Sequence, residues 1–282
     1  MPELPEVETV CQGLNHTTLN QEIRGGDVLL PRTIAYPFSI EDFLAGLQGT
    51  TLFRWHRRGK YLLGELHTSE SQAAGWLGVH LRMTGQLRCL SSSEALQKHT
   101  RVRLFLSGDQ ELRFVDQRTF GQIWWVPPDR SVEQVISGLQ QLGPEPFSES
   151  FSSEYLRQQL LHRRRPIKNA LLDQTIVAGL GNIYADEALF LSRIHPECHC
   201  TQLKQKQIER LRGAILEVLQ SSLDVGGTTF STFQNVQGIN GNYGKAAWVY
   251  GRGGEACRVC GTLIQRLRMA GRSAHFCPQC QQ

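Results

Sequence analysis

No stretch of this chain is both long enough and free enough of charge to cross a bilayer, which takes about 20 consecutive apolar residues. The opening residues, MPELPEVETV, are acidic and hold no apolar run, so they do not read as a secretory signal. Internal repeats are missing as well, and the net formal charge is only +4. What remains is an ordinary soluble composition, 40% hydrophobic and 20% charged, in 282 residues. That length allows two domains, each with its own core, and the expected compartment is the cytoplasm.

The small net charge hides an uneven distribution. Residues 1–50 hold seven acids against Arg24 and Arg32. Residues 241–282 hold Lys245, Arg252, Arg258, Arg266, Arg268 and Arg272 against Glu255 alone, and residues 157–168 add Arg157, Arg163, Arg164, Arg165 and Lys168 without an acid. Basic clusters far apart in sequence suit a polyanion, because each neutralised phosphate releases counterions. Solvated surface charge is the other reading.

Four of the eight cysteines form Cys257-x2-Cys260 and Cys277-x2-Cys280, with sixteen residues between the pairs. In a cytosolic chain this spacing means metal rather than disulfides. Four thiolates close a tetrahedral shell, so one structural zinc ion with no open coordination position is expected. The intervening TLIQRLRMAGRSAHF has room for a β-hairpin carrying Arg266 to Arg272 outwards. HPECHC (His195, Cys198, His199, Cys200) resembles a metal cluster, but its spacing is irregular and no distant pair completes it. A loop after a helix is the favoured reading there.

Val7, Val10, Cys11 and Leu14 fall at helical spacing, predicting a helix directly behind the terminus. From Glu22 to Val126 short apolar runs alternate with turn residues. The segments TLFRW, KYLLGEL, WLGVHLRM, RVRLFL, ELRFV and QIWWV predict six strands of a β-sandwich or barrel. LGPEPFSESFSSEY reads as a linker. Helical spacing follows in YLRQQLLHRR, IKNALLDQ, IYADEALFLSR and QIERLRGAILEVLQSSL, with Asn182 of AGLGN at the N-cap of the third. GGTTFSTFQNVQGINGNYG, residues 226–244, reads as a mobile loop. The expected division is 1–142, a linker at 143–155, a helical domain over 156–244 that includes this loop, and a zinc module over 245–282.

Three motifs carry two readings each. Backbone N–H groups of AGLGN, beside RRRPIK, suit a phosphate at a helix N-terminus, or simply join two helices. Met83 of HLRMTG and Phe120 of DQRTFG are core residues, or else apolar wedges for a base stack, with Arg118 filling the space of an extruded nucleotide. Lys60 follows His56, Arg57 and Arg58. It is either a solvated strand-start lysine or one whose pKa is depressed by like charge into a useful range.

MPELPEVET, GKYLL, HLRMTG, DQRTFG, LGPEP, GLGNIYADE, GGTT, VYGRGGEAC and the paired CxxC knuckles, in that order from residue 2 to residue 280, together resemble the formamidopyrimidine-DNA glycosylase family. The related endonuclease VIII branch begins Pro-Glu-Gly-Pro-Glu, whereas Leu4 here fits the formamidopyrimidine branch. Gly59 and Gln117 occupy variable family positions and Ala256 replaces a frequent Pro; none is a proposed catalytic residue.

The resemblance implies an α+β fold: an N-terminal β-sandwich, a helical domain with a helix–two-turn–helix element, a zinc finger, and damaged double-stranded DNA bound in the cleft between the domains by a monomer. It implies excision of oxidised purines such as 8-oxoguanine and formamidopyrimidines, followed by cleavage of the abasic strand, in a cytoplasmic, nucleoid-associated protein. Pro2, exposed by removal of Met1, becomes the nucleophile. An α-amine is far more neutral near pH 7 than a lysine, and its iminium with C1′ is an electron sink for elimination. Glu3 is placed to protonate the sugar ring oxygen. The resemblance makes Lys60 the proton donor of β-elimination and Arg272 that of δ-elimination. It makes His99, Arg118 and Arg164 DNA contacts, and His80, Lys168 and Asn182 phosphate contacts. Met83, Arg118 and Phe120 fill the void, and Glu6, Thr228 and Tyr243 line the lesion pocket. The rivals are an endonuclease VIII-like enzyme for oxidised pyrimidines, and a zinc-ribbon DNA-binding protein without catalysis.

Overall fold

The computed structural model describes residues 1–227, 236–239, 241 and 243–282. Helix α1 (Leu4–Thr17) is followed by β1 (Ile23–Val28), β2 (Ile34–Tyr36), α2 (Ile40–Leu47), β3 (Thr51–Arg58), β4 (Tyr61–His67), β5 (Ala73–His80), β6 (Gly85–Ser91), β7 (Thr100–Leu106), β8 (Gln110–Asp116) and β9 (Gln122–Val126). The short helices α3 (Val132–Val135) and α4 (Ser137–Gln140) lead to α5 (Ser153–Leu160), α6 (Ile167–Leu171), α7 (Asn182–Leu191) and α8 (Gln205–Asp224), and the chain ends in β10 (Gln265–Met269) and β11 (Arg272–Phe276).

The strands before α3 form two sheets, ordered β1-β7-β8-β6 and β2-β9-β5-β4-β3, antiparallel except for β2 beside β9. Side-chain alternation drives the packing. In β7 every second residue, Thr100, Val102, Leu104 and Leu106, is buried. Leu62, Leu66, Leu77 and Val79 of one sheet share a core with Val102, Leu104, Leu112 and Phe114 of the other, and α1 adds Val7, Val10, Cys11 and Leu14. The predicted sandwich is present, with α1 lying against β3, β4 and β6.

Strands β1, β2 and β6 and helix α2 lie outside the predicted set. In β1 only Ile23 is buried, so its Gly-Gly sequence shows no apolar alternation. WLGVHLRM was expected to run as a strand to Met83, yet β5 stops at His80. There the His80 Nδ1 accepts the Arg82 amide at 3.0 Å, and Arg82 takes φ +53°.

The chain divides into two compact units, Met1–Gln140 with Gly226–Gly241, and Gln141–Val225 with Asn242–Gln282. Two sequence expectations change here. The presumed linker 143–155 is built into the helical unit. Gly143 donates to the Gln174 carbonyl at 2.8 Å, Ala178 donates to that of Pro144 at 3.0 Å, and Phe151 is fully buried. Its serines serve as a helix start, Ser152 Oγ accepting the Tyr155 amide at 3.0 Å. Second, Gly226–Gly241 belongs with the sandwich unit rather than the helical one. Val236 is buried in the sandwich core, against Gly13 of α1. In the helical unit α8 offers Ile208, Leu211, Ile215, Val218 and Leu219 to one side, at the i, i+3/i+4 spacing that predicted it.

Candidate active site and nucleic-acid interface

Pro2, Glu3 and Glu6 are buried at the head of α1. Glu3 is the N-cap and Glu6 the third helical residue of a capping box, in which Glu6 Oε2 accepts the Glu3 amide at 2.8 Å. Carboxylates this deeply buried are tolerable because they cap free amides at the positive end of a helix. Arg57, which sequence reasoning passed over, ties the next element to this helix. Its Nε donates to Glu8 Oε2 at 2.7 Å and its Nη1 to the Gly59 carbonyl at 3.2 Å. The two-residue β3–β4 turn, Gly59-Lys60, is thereby fastened to the helix that carries Pro2. Lys60 itself is only 7% exposed, which removes the solvated-lysine reading.

Gly227 closes on the same place. At φ +81°, a Cβ on it would lie 3.2 Å from Glu6 Oε1, and one on Gly241 would strike the Gly227 carbonyl at 2.4 Å. Glu6 therefore sits beside the base of the expected pocket loop. Thr228 lies outside the described residues. Tyr243 is a core residue of the helical unit, 4% exposed and packed on Tyr184 with ring centroids 5.7 Å apart. Burial raises its pKa. The structure gives its ring a packing role, not a pocket surface.

His80 faces Tyr61 across the β4–β5 pair, edge-to-face at 4.5 Å. Burial, then the charges of Arg82 and Lys60, push its pKa down to about 3. It is a neutral imidazole with Nδ1 occupied by the Arg82 amide, so toward a phosphate it is a hydrogen-bond donor through Nε2 and not a cation.

The turns holding Met83 and Phe120 are one construction, and Asp116 makes it. Buried at the end of β8, Asp116 accepts the Arg118 amide on Oδ1 at 3.2 Å and the Gly121 amide on Oδ2 at 2.8 Å. The Thr84 hydroxyl also donates to Asp116 Oδ1, and Thr84 Oγ1 in turn accepts the Arg118 amide at 3.0 Å. HLRMTG and DQRTFG are thus pinned to each other. Gly121 is required there: a Cβ would lie 2.3 Å from the Phe114 ring. Phe120 is 53% exposed with the Arg118 guanidinium over its ring at 5.0 Å, and Met83 is half-buried. An exposed aromatic on a turn held by these bonds is not core packing for Phe120. The His99 carbonyl accepts the Asp116 amide at 2.9 Å, bringing His99 to the same corner. The local signal for Asp116 was an Asp ending a strand just before a Gly-closed turn.

In the helical unit Arg164 is exposed, but Lys168 is not: it is 1% exposed. Its Nζ donates to Asp186 Oδ1 at 2.5 Å and to the Ser273 carbonyl at 2.6 Å. The N-cap of α7 is Gly181 rather than Asn182. Asn182 is the first helical residue, and its Nδ2 donates to the Ser273 carbonyl at 3.0 Å instead of capping its own helix. Glu187 is buried and accepts the amides of Trp248, Val249 and Tyr250 at 2.7, 2.9 and 2.9 Å, holding the segment that enters the cysteine module. Arg272 is exposed, next to the tip of the β10–β11 hairpin, where Ala270 and Gly271 both take positive φ as a tight two-residue turn demands.

Thiolates around a tetrahedral zinc at about 2.3 Å sit about 3.8 Å apart. The Sγ atoms of Cys257, Cys260, Cys277 and Cys280 all lie within 4.8 Å of one another, with Cys257–Cys280 at 4.0 Å and Cys260–Cys277 at 3.4 Å. Burial raises the Cys277 and Cys280 thiols, while hydrogen bonds from Thr262 lower that of Cys260 to about 6; a coordinating divalent cation deprotonates thiols outright. The residues fit one structural zinc. The HPECHC residues form no such group among those described; Cys198 Sγ turns instead to the His199 carbonyl at 3.7 Å.

Comparison with known proteins was made for the whole chain. Residues 1–123 match the formamidopyrimidine-DNA glycosylase N-terminal domain, 142–234 the H2TH domain of that glycosylase, and 254–282 the zinc finger found in FPG and IleRS. The formamidopyrimidine-DNA glycosylase of Nostoc sp. is 64% identical over 282 residues, covering all of both chains. The chain belongs to the formamidopyrimidine-DNA glycosylase family. Among solved members of that family, the Lactococcus lactis FPG mutant G226P in complex with Fapy-dG-containing DNA is 37% identical, with a TM-score of 0.90 and both chains fully covered. MutM in complex with carbocyclic 8-oxo-G-containing DNA matches with the same identity, TM-score and coverage. The sandwich, the helical H2TH unit and the cysteine module are the family's parts, and no helix of the described residues is long and apolar enough to cross a membrane.

Proposed function

We propose that this protein excises oxidised purines, 8-oxoguanine and formamidopyrimidines, from duplex DNA and then cuts the strand at the abasic site. The observation that carries the reading is the full-length 64% identity to a formamidopyrimidine-DNA glycosylase; solved relatives hold Fapy-dG and 8-oxo-G DNA. A DNA substrate implies association with the nucleoid.

The chemistry assigned to these residues runs as follows. With Met1 removed, the lone pair of the Pro2 nitrogen attacks C1′ and the base departs with the electrons of the glycosidic bond. Glu3 protonates the ring oxygen, the ring opens, and an iminium forms between Pro2 and C1′. Loss of a C2′ proton into this sink breaks the C3′–O bond, with Lys60 giving a proton to the departing 3′-phosphate. Loss of the C4′ proton then breaks the C5′–O bond, with Arg272 as donor to the departing 5′-phosphate, and water releases Pro2. Met83, Arg118 and Phe120 fill the space the extruded nucleotide leaves, while His80, His99, Arg164 and Asn182 hold the backbone; Lys168, buried against Asp186 and the Ser273 carbonyl, acts on the hairpin instead. Glu6 and Thr228 are assigned to the lesion pocket by the family resemblance. The zinc ion keeps the β10–β11 hairpin folded and takes no part in bond making. In this division residues 1–142 supply the glycosylase chemistry, and the helical domain and zinc module bind DNA.

Excision assays on duplexes carrying 8-oxoguanine or thymine glycol test the substrate class. Faster release of 8-oxoguanine is expected; preference for thymine glycol overturns it in favour of an endonuclease VIII-like enzyme.

A further inference from the structure

We infer that Asp186 is the positioning residue for Arg272, and that it governs the second strand-cleavage step while leaving the first unaffected. The observation lies at the outer edge of the zinc hairpin. Strand β11 pairs on one side with β10, Leu267 opposite Ala274 and Arg268 opposite Ser273. Its other edge would leave the Ser273 carbonyl and the His275 amide without strand partners. Side chains of α6 and α7 take both. Asp186 Oδ2 accepts the His275 amide at 2.9 Å and meets His275 Nδ1 at 3.1 Å. Through Oδ1 it holds Lys168 Nζ at 2.5 Å, and that same Nζ donates to the Ser273 carbonyl at 2.6 Å, alongside Asn182 Nδ2 at 3.0 Å.

The Asp186 side chain is fully buried and Lys168 is 1% exposed, so this is a fixed clamp rather than a surface ion pair. It grips Ser273, the next residue after Arg272, and His275 further along the same strand. Arg272 itself is exposed, beside a tip of Ala270 and Gly271. Its direction is therefore set through the backbone at Ser273, which Asp186 reaches through Lys168 while holding the His275 amide directly. The four cysteines secure the base of the hairpin, where Phe190 of α7 packs with Ile264 and Cys277, and the clamp holds the part of β11 next to Arg272.

The inference rests on the glycosylase–lyase reading and on Arg272 acting in δ-elimination. The test is Asp186→Asn, which keeps the shape and removes the charge. Abasic-site duplex labelled on the 5′ side is cleaved, and the products are separated into 3′-unsaturated aldehyde ends (C3′–O broken only) and 3′-phosphate ends (C5′–O broken as well). The 3′-phosphate fraction should fall about tenfold, the scale expected for a displaced but intact group. Zinc content and borohydride trapping at Pro2 should stay unchanged, and amide hydrogen exchange at His275 should accelerate. Asp186→Glu, which restores the charge on a longer arm, should recover part of the 3′-phosphate fraction; it also serves as the variant to measure should Asp186→Asn not fold. An unchanged product split in a folded, trapping-competent variant overturns the role of Asp186. A native protein that does not trap overturns the lyase reading itself, so the two failures are distinct.

Discussion

His80 shows how much a residue's role depends on its surroundings. The resemblance makes it a phosphate contact, and burial pushes it down to about 3 from an ordinary value of 6.5, so it meets a phosphate as a neutral donor. Because the folded value lies below the unfolded one, the unfolded chain takes up this proton first as the pH drops. Stability from this group is therefore intact above pH 6.5 and lost progressively between 6.5 and about 3, at up to ~1.4 kcal/mol per pH unit. Urea unfolding of the native protein and of His80→Gln across that range should give curves whose difference shrinks toward acid; parallel curves would mean that His80 keeps its ordinary value in the fold. What was legible at this scale was whatever has a local signature. The four cysteines declare themselves by spacing, and Pro2 by its place behind Met1. Arg57, Asp116 and Asp186 were not legible, because their partners lie up to 89 residues away, as His275 does from Asp186. Tyr243 misled for the same reason, since nothing near it in sequence announces Tyr184.

At the scale of elements, turns carry the specificity and the strands hold them. Six predicted strands are present because short apolar runs between turn residues mark them, whereas β1 and β6 hide behind glycines and half-buried positions. The linker misreading came from composition: Pro, Ser and Glu also start and stop helices, as Ser152 does. The pairing of HLRMTG with DQRTFG was invisible until Asp116 and Thr84 were seen together. Asp116→Ala removes the acceptor of two backbone amides and the Thr84 hydroxyl. The unsatisfied donors should cost about 1–3 kcal/mol each if they stay buried. Duplex affinity measured by fluorescence anisotropy should fall while zinc content holds. Unaltered affinity with the turn shown to be displaced would remove Arg118 and Phe120 from the DNA-contact set.

Across the whole molecule, two units with separate cores share one proposed reaction. Pro2, Glu3 and Lys60 belong to the sandwich unit, and Arg272 and the zinc module to the helical unit. Membership of the family was legible because its motifs recur in order along the full chain; the assignment of Gly226–Gly241 to the sandwich unit was not, since it depends on Val236 reaching a core whose other members all lie before residue 126. The central claim is chemical: the terminal amine of Pro2 is the nucleophile. Borohydride reduction of the protein on abasic-site duplex, followed by mass mapping of the adduct, tests it most directly. A covalent adduct on Pro2, absent from Pro2→Gly and from a form extended at its N-terminus, is the expected result; a native protein that yields no adduct, or one that maps to Lys60, would contradict the account.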